Sequence, residues 1–413
     1  SMVMRKSEEW SDKVDMVKPI AIGRKYYANC RYCTHLETVT SCRNFWQANG
    51  MDSSHSTASQ CAKLKILAIK EGEEIMNIAR IGIDLAKQVF QIHGVDRTEK
   101  VLVRRQLRRS QMLGYFSKLT PCLIGMEACG SAHYWARELG KLGHEVRLMA
   151  PQFVKPYVKS GKNDANDAEA ICEAVGRPNM RFVAIKTAEQ QVIQAEHRIR
   201  ARLIKSRTAL SNEIRGLLAE FGIVVETSIG RLRKALPELL EDSENGLPRS
   251  FRVLLAGLGE ELRALDDSIT AFDAGIAQRA REDGRIRRLL DVEGIGPITA
   301  SALVAAVGNG TQFNSGRDMS AWLGLTPRQY SSGGKNRLGG ISKRGDKYMR
   351  MLLIHGARAA LNAAKNKEDG RSRWVKSLAT RRNKNIATVA LANKNARIAW
   401  SILSRGESYR KAA

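Results

Sequence analysis

The sequence predicts a mixed α/β sheet domain, then a long paired helical segment, then a small, mainly helical domain at the carboxyl end. Three observations carry this. Between Ile78 and Val175, three strand-length apolar runs are followed by alternating helix-length and strand-length segments. Between residues 187 and 284 apolar side chains recur at spacings of three and four. Beyond residue 285, glycine-bearing turns break up short helical stretches that are dense in lysine and arginine.

Taken in order, residues 1–75 show no core pattern. Acids and bases nearly balance there, and Asn49 to Ser59 is a Gly/Ser/His/Thr stretch of linker character. Cys30-x-x-Cys33, with His35 and Cys42 nearby, is half of a zinc site without a second pair at finger spacing. The pattern of a folded domain begins at Met76, in Met76-Asn-Ile-Ala-Arg-Ile-Gly-Ile-Asp-Leu-Ala-Lys87. We therefore read residues 1–75 as a poorly ordered or accessory extension, either upstream reading frame or a module of its own.

Ile78 to Asp84 and Val89 to Val95 are apolar runs joined by a tight connection, and Lys100 to Leu107 alternates as a third strand. A helix over Ser110 to Lys118 leads to a strand over Cys122 to Met126. Ser131 to Leu142 is helical, His144 to Met149 a fifth strand, and Asp164 to Val175 a helix. Three antiparallel strands followed by α/β alternation describe a ribonuclease H-like mixed sheet over 76–180. Further on, Leu255, Leu258, Leu262, Leu265, Ile269, Phe272 and Ile276 form a heptad seam, and Ile199, Leu203, Leu210, Ile214, Leu217 and Phe221 nearly repeat it. This predicts a helical coiled-coil segment over 187–284, either an antiparallel hairpin turning between Gly230 and Pro248 or a dimerising surface. A new unit over 285–365 opens with Gly294-Ile295-Gly296-Pro297 between two short helices. That is the pattern of a helix-hairpin-helix, in which Gly294 and Gly296 let backbone N–H groups approach a phosphate. Residues 366–413 are expected to form a basic helical tail.

A formal net charge of +26 on 413 residues implies a polyanionic partner, DNA or RNA. From Arg328 to Ala413 there are twenty-one Lys and Arg against four Asp and Glu, so that partner is expected along this end. No apolar run approaches a membrane span, and Met4 to Lys25 lacks the apolar core of a signal peptide. We expect a cytoplasmic protein whose seven cysteines are reduced thiols.

Four carboxylates stand out by position. Asp84 closes the first strand and Glu127 the fourth, and in a ribonuclease H-like sheet those strands are neighbours. Asp164 and Asp167, three apart at a helix start, share one face. Four acids converging on a basic protein repel one another unless a divalent cation neutralises them, and an oxygen-only set suits Mg²⁺ or Mn²⁺. Taken singly, each acid has a plainer role as a strand-end turn, a helix cap or a surface charge. The second candidate site is Tyr330-Ser331-Ser332-Gly333-Gly334-Lys335, followed by Arg337, Lys343 and Arg344. Small hydroxyl residues in a basic, glycine-rich loop fit a serine attacking a phosphodiester, or a loop that only grips phosphates.

In this order, Ile-Gly-Ile-Asp-Leu-Ala-Lys, Gly-Met-Glu-Ala-Cys-Gly, Lys-Asn-Asp-Ala-Asn-Asp-Ala, Gly-Ile-Gly-Pro-Ile-Thr-Ala and Gly-Leu-Thr-Pro-Arg-Gln-Tyr-Ser-Ser-Gly-Gly-Lys resemble the insertion sequence 110 family of transposases. The resemblance spans roughly Met76 to Leu361; residues 1–75 have no counterpart in it, and the stretch after Leu361 matches loosely. It implies a RuvC-like domain with a DEDD acid tetrad, a coiled-coil segment and a small transposase domain with a catalytic serine. Carried over residue by residue, the tetrad falls on Asp84, Glu127, Asp164 and Asp167. The serine falls on Ser332, with Ser331 one position away. The resemblance further implies site-specific DNA recombination guided by a noncoding bridge RNA, in a homo-oligomer, a dimer or tetramer, whose active sites are shared between subunits. Two other readings stay open: a metal-only nuclease or DDE-type transposase in which the serine loop only binds DNA, and a non-catalytic nucleic-acid scaffold.

Overall fold

The computed structural model describes residues 78–159, 161 and 163–410. The extension, its linker stretch and the cysteine cluster Cys30, Cys33 and Cys42 lie outside the described residues.

The amino-terminal third of the described chain is built on one six-stranded mixed sheet. Its strands are β1 (Arg80–Leu85), β2 (Val89–Val95), β3 (Val101–Arg108), β4 (Leu123–Glu127), β5 (Glu145–Met149) and the short β6 (Phe182–Val183). They lie in the order β3-β2-β1-β4-β5-β6. The first three pair antiparallel, β1 runs parallel to β4 and β4 to β5, and β6 returns antiparallel on β5. Period-two alternation puts Ile81 and Ile83 of β1 on a fully buried face with Phe90 and Leu107. The helices α1 (Met112–Phe116) and α2 (Ala132–Lys141) supply Phe116, Trp135 and Leu139 to the apolar interior. The short α3 (Pro151–Val154) and α4 (Asp164–Val175) follow β5. The strand β6 was not expected from the sequence, because two residues carry no readable period.

Against the opposite face of the sheet lies α4, and two glycines let it approach. A side chain on Gly82 would put its Cβ 2.2 Å from the Ala168 carbonyl oxygen and 2.3 Å from the Cys172 backbone nitrogen. One on Gly125 would meet the Val175 side chain at 2.7 Å. Helix backbone thus rests directly on strand backbone at Gly82.

Two long helices follow, α5 (Ala188–Glu220) and α7 (Arg249–Glu282). Glu196 pairs with Arg279, Arg200 with Asp273 and Arg207 with Asp266, so one index falls as the other rises and the helices run antiparallel. The seam departs from expectation on α5. Its buried positions are Ile193, His197, Leu203, Leu210, Ser211, Ile214 and Leu218. Ile199 and Phe221, assigned to the seam from their apolar character, are each 41% exposed. Two polar residues, His197 and Ser211, occupy the places that a count of apolar side chains skips. The connection expected to be a turn contains α6 (Ile229–Glu241), whose Leu232 and Leu236 join Leu210, Ile214, Leu218 and Leu255 in a core at the far end of the hairpin.

The carboxyl-terminal domain is built from α8 (Gly284–Leu290), α9 (Pro297–Val307), α10 (Gly316–Trp322), α11 (Lys347–Ala363), α12 (Gly370–Arg381) and α13 (Lys384–Arg405). Residues 366–413 were expected to be a tail; instead Val375, Ala387, Leu391, Ala396, Ala399 and Ile402 are buried in the same core as Leu303, Leu323 and Leu353. The many basic residues hid an apolar stripe that is largely alanine. Between α10 and α11 stands a two-stranded hairpin, β7 (Pro327–Gln329) and β8 (Leu338–Ile341). Among the described residues no helix is long and apolar enough to cross a membrane.

Candidate active site

The last register pair joining β1 to β4 is Ile83 with Met126, so the next residues, Asp84 and Glu127, stand side by side at the carboxyl ends of the two central strands. Each acid lies two positions after a glycine, on the same strand face, and that face is the one α4 covers. The helix begins above them. Asn163 caps it, its Oδ1 accepting from the Ala165 backbone N–H at 2.9 Å, and Asp164 and Asp167 occupy the first turn. Carboxylates there are favoured by the helix dipole, which offsets some of their mutual repulsion.

The sheet and helix together bring carboxylate oxygens of Asp84, Asp164 and Asp167 within 4.8 Å of one another. Glu127 falls outside that group but remains in its field. Burial pushes the Asp84 carboxyl above the usual carboxylate range, and Asp164 and Asp167 push it further. Burial raises Glu127 too, with added repulsion from Asp84 and Asp167. Glu169, the third acid in this stretch of α4, is held down by Lys159 and also pairs with Arg104, which separates it from the cluster. None of Asp84, Glu127, Asp164 and Asp167 has an ion-pair partner among the described residues. Oxygen-only donors that repel one another and lack a basic partner are a set that fits a divalent cation.

The serine residues lie elsewhere, at the tip of the β7–β8 hairpin. The Lys335 backbone N–H donates to the Ser332 carbonyl at 3.0 Å, closing a turn whose two central residues, Gly333 and Gly334, have φ of +56° and +76°. This is a tight hairpin turn of the kind that requires positive φ at both centres, and not an open loop. Ser331 Oγ accepts from Gln329 Nε2 at 3.0 Å. Ser331, Ser332, Lys335 and Arg337 are all exposed, and so are Lys343 and Arg344 just after β8. Arg344 is anchored through its backbone: its carbonyl accepts from Arg350 and lies against Gly324.

Gly294 and Gly296 part company. Gly294, at φ +85°, faces Gly356 of α11 so closely that a Cβ would lie 2.6 Å from the Gly356 carbonyl oxygen. Its absent side chain therefore serves internal packing. Gly296 is exposed, with no atom within 4 Å of where a Cβ would stand, and it precedes Pro297 at the start of α9. Sequence reasoning overlooked Gly82, Gly125 and Gly356. Glycine two places before each strand-end acid was a readable signal for the first two; Gly356 inside a helical stretch gave none.

A mixed sheet with acids closing its two central strands, a third and fourth acid on the helix across them and a separate basic helical domain is compatible with a RuvC or ribonuclease H-like transposase. Comparison with known proteins specifies the class. The model described as "Transposase IS116/IS110/IS902 family" matches residues 286–373, and a DEDD-type transposase model for IS110 elements matches residues 81–223. The chain is 58% identical over 336 residues to a Pseudomonas aeruginosa protein named "Probable family 20 transposase", covering 81% of this chain and 99% of that one. It is 46% identical to the transposase for insertion sequence element IS1111A of Coxiella burnetii, covering 83% and 94% of the two chains. To the transposase for element IS1328 of Yersinia enterocolitica it is 41% identical, covering 81% and 99%. The chain belongs to the IS110/IS116 family of transposases and is an insertion sequence transposase.

Proposed function

We propose that this transposase cuts and rejoins DNA through a covalent Ser332–phosphate intermediate, with Asp84, Glu127, Asp164 and Asp167 holding divalent metal, Mg²⁺ or Mn²⁺. The observation that carries the reading is the convergence of Asp84, Asp164 and Asp167 within 4.8 Å in a protein of net charge +26. A chain that gathers cations to hold a polyanion gains nothing from close-set, partly exposed acids without ion-pair partners among the described residues unless a metal bridges the two. When bound, the metal would polarise the scissile phosphate and stabilise developing negative charge on its oxygens.

The chain's own groups do the rest. Ser332 Oγ forms a bond to phosphorus as the bond to the departing strand's oxygen breaks; the serine loses its proton and the departing oxygen gains one. The phosphoester conserves the bond energy, so a strand hydroxyl can reverse the step and rejoin DNA without a high-energy cofactor. Lys335, Arg337, Lys343 and Arg344 surround the hairpin with positive charge that offsets the transition state. Gly296 and the open start of α9 offer backbone N–H groups to a neighbouring phosphate. The family resemblance adds guidance by a noncoding RNA and a homo-oligomer in which one subunit's acids serve another's serine. The separation of acids and serine onto two domains supports that sharing.

The test is to stop the reaction with denaturant, digest the DNA and map the protein. A nucleotide adduct on the peptide carrying Ser332, absent in Ser332→Ala, is expected, together with loss of cleavage in Asp167→Asn while DNA binding persists. No adduct under any trapping condition, with Ser332→Ala still cleaving, would leave the metal-only enzyme as the better account. Cleavage at the wild-type rate by Asp167→Asn would remove the acids from the chemistry.

A further inference from the structure

Beside the acid-bearing end of the sheet, on its other face, lies a cleft of about 630 Å³ between the start of β2, the end of β3 and the first turn of α2. Its position follows from register. Gln88 and Val89 begin β2 directly after the turn that follows Asp84 and Leu85, so the cleft opens at the same end as the acids. Phe90, the register partner of Leu85, points away from the face of Asp84 and packs edge-on against Trp135 with ring centroids 5.3 Å apart.

The lining combines aromatic surface with unpaired positive charge. Tyr134 is 41% exposed and stands edge-on to Trp135 at 5.1 Å, while the Arg109 guanidinium lies 5.1 Å from the Trp135 ring centre. Arg108 and Arg109 are exposed, and neither has a carboxylate partner among the described residues. Trp135 is only 3% exposed, yet its buried indole N–H has no hydrogen-bond partner among the described residues. A buried donor without an acceptor carries an uncompensated desolvation cost. Stacking surface and cationic edges are together what an unpaired nucleobase with its flanking phosphates satisfies. A protein apolar segment would leave both arginines unanswered.

We propose that this cleft binds an unpaired base of the DNA strand handled by the acid cluster, with the base against Tyr134 and the flanking phosphates on Arg108 and Arg109. DNA is the occupant because the cleft, through Gln88 and Val89, opens at the same end of the sheet as the acids that close β1 and β4. This rests on the acid cluster being where DNA is processed, but it is measured without cleavage.

The experiment uses the full chain and fluorescence anisotropy with labelled oligothymidylate, an oligouridylate of the same length and a DNA duplex. Tyr134→Ala should weaken oligothymidylate binding about tenfold and leave duplex binding within about twofold, since stacking acts only on unpaired bases. Tyr134→Phe should bind like the wild type. An oligothymidylate carrying 5-iodouracil should photocrosslink to the peptide containing Tyr134. Asp167→Asn should retain all of this, so failure of the catalytic reading leaves the result intact. Wild-type binding by Tyr134→Ala, equal losses for duplex and single strand, a crosslink elsewhere, or an effect confined to oligouridylate would each overturn the proposal. Because Tyr134 is exposed, its variants are expected to keep the wild-type melting temperature.

Discussion

Gly82 and Gly125 are register partners on neighbouring parallel strands, and the same helix rests on both. Their shared lack of a side chain sets the height of α4 above the sheet, and with it the distance from Asp164 and Asp167 to Asp84. Gly82→Ala should therefore damage the site more than it damages the fold. The new Cβ would collide with rigid backbone, the Ala168 carbonyl and the Cys172 nitrogen, whereas at Gly125 it meets the Val175 side chain, which can yield. Overpacking of this kind costs about 1–3 kcal/mol, while a shift near 1 Å at the acids costs roughly a hundredfold in rate. Cleavage measured well below the melting temperature should fall about that far for Gly82→Ala and much less for Gly125→Ala. Equal, small effects would show that helix height does not set the acid geometry.

The acids are held at a cost to stability when no metal is bound. Asp84 and Glu127 have carboxyls raised in the folded protein, so the folded state binds more protons than the unfolded one over the window that starts at their ordinary values. Stability from these groups is present below that window and lost as pH rises through it. At neutral pH Asp84→Asn should raise the melting temperature of the metal-free protein by a few degrees, consistent with about 1 kcal/mol. Added Mg²⁺ should raise the melting temperature of the wild type and leave that of Asp84→Asn nearly unchanged. A variant less stable than the wild type in chelator would contradict the repulsion argument.

Acid acts in the opposite direction where the helical hairpin meets the carboxyl-terminal domain. His197 is buried with Nδ1 3.1 Å from Tyr348 Oη and Nε2 3.2 Å from Ser301 Oγ. Burial, aided by Arg200 and Arg279, pushes its pKa down to about 4. The folded state thus binds fewer protons than the unfolded one, and stability present above the ordinary histidine value is lost as pH falls toward 4. Melting temperature should decline from near neutrality to pH 4, and His197→Phe should flatten part of that decline. The same variant should cost about 1–3 kcal/mol at neutral pH, because the Tyr348 and Ser301 hydroxyls lose their partner. A pH profile unchanged in His197→Phe would place the acid sensitivity elsewhere, as at buried His133.

What the sequence disclosed depended on how local the signal was. The strand order around β1 and β4, and the pairing of Asp84 with Glu127 at its end, follow from short apolar runs and a topology with few alternatives. Asp164 and Asp167 were legible because a spacing of three at a helix start puts them on one face; that Asn163, and not Asp164, caps the helix was not. Contacts distant along the chain were not legible. Nothing local marks His197 as the buried link to Tyr348, so apolar counting chose exposed Ile199 in its place. The final helices looked like a solvated tail because their buried stripe is alanine set among lysine and arginine. Gly294 read as a phosphate contact, yet its partner is Gly356, sixty-two positions away.

The hairpin tip gives Ser331 and Ser332 different surroundings, and this supports an ordering of the two. Ser331 Oγ already accepts from Gln329 Nε2, whereas Ser332 is tied to the turn through its backbone carbonyl, which leaves the tie intact when its side chain reacts. Ser331→Ala should therefore slow strand cleavage by less than about tenfold, the loss expected for a neighbour that only positions the strand. Ser332→Ala should abolish cleavage, as removal of a nucleophile does. The turn itself is a separate requirement. Gly333 and Gly334 both hold positive φ, so Gly333→Ala and Gly334→Ala should each strain the hairpin by roughly 1 kcal/mol and slow cleavage without touching the hydroxyl. Single-turnover cleavage of a labelled duplex by the four variants, with adducts mapped in parallel, separates the roles. Loss of the adduct in Ser331→Ala with its retention in Ser332→Ala would move the nucleophile by one residue, and cleavage by the double variant Ser331→Ala/Ser332→Ala would remove serine chemistry from the reaction altogether.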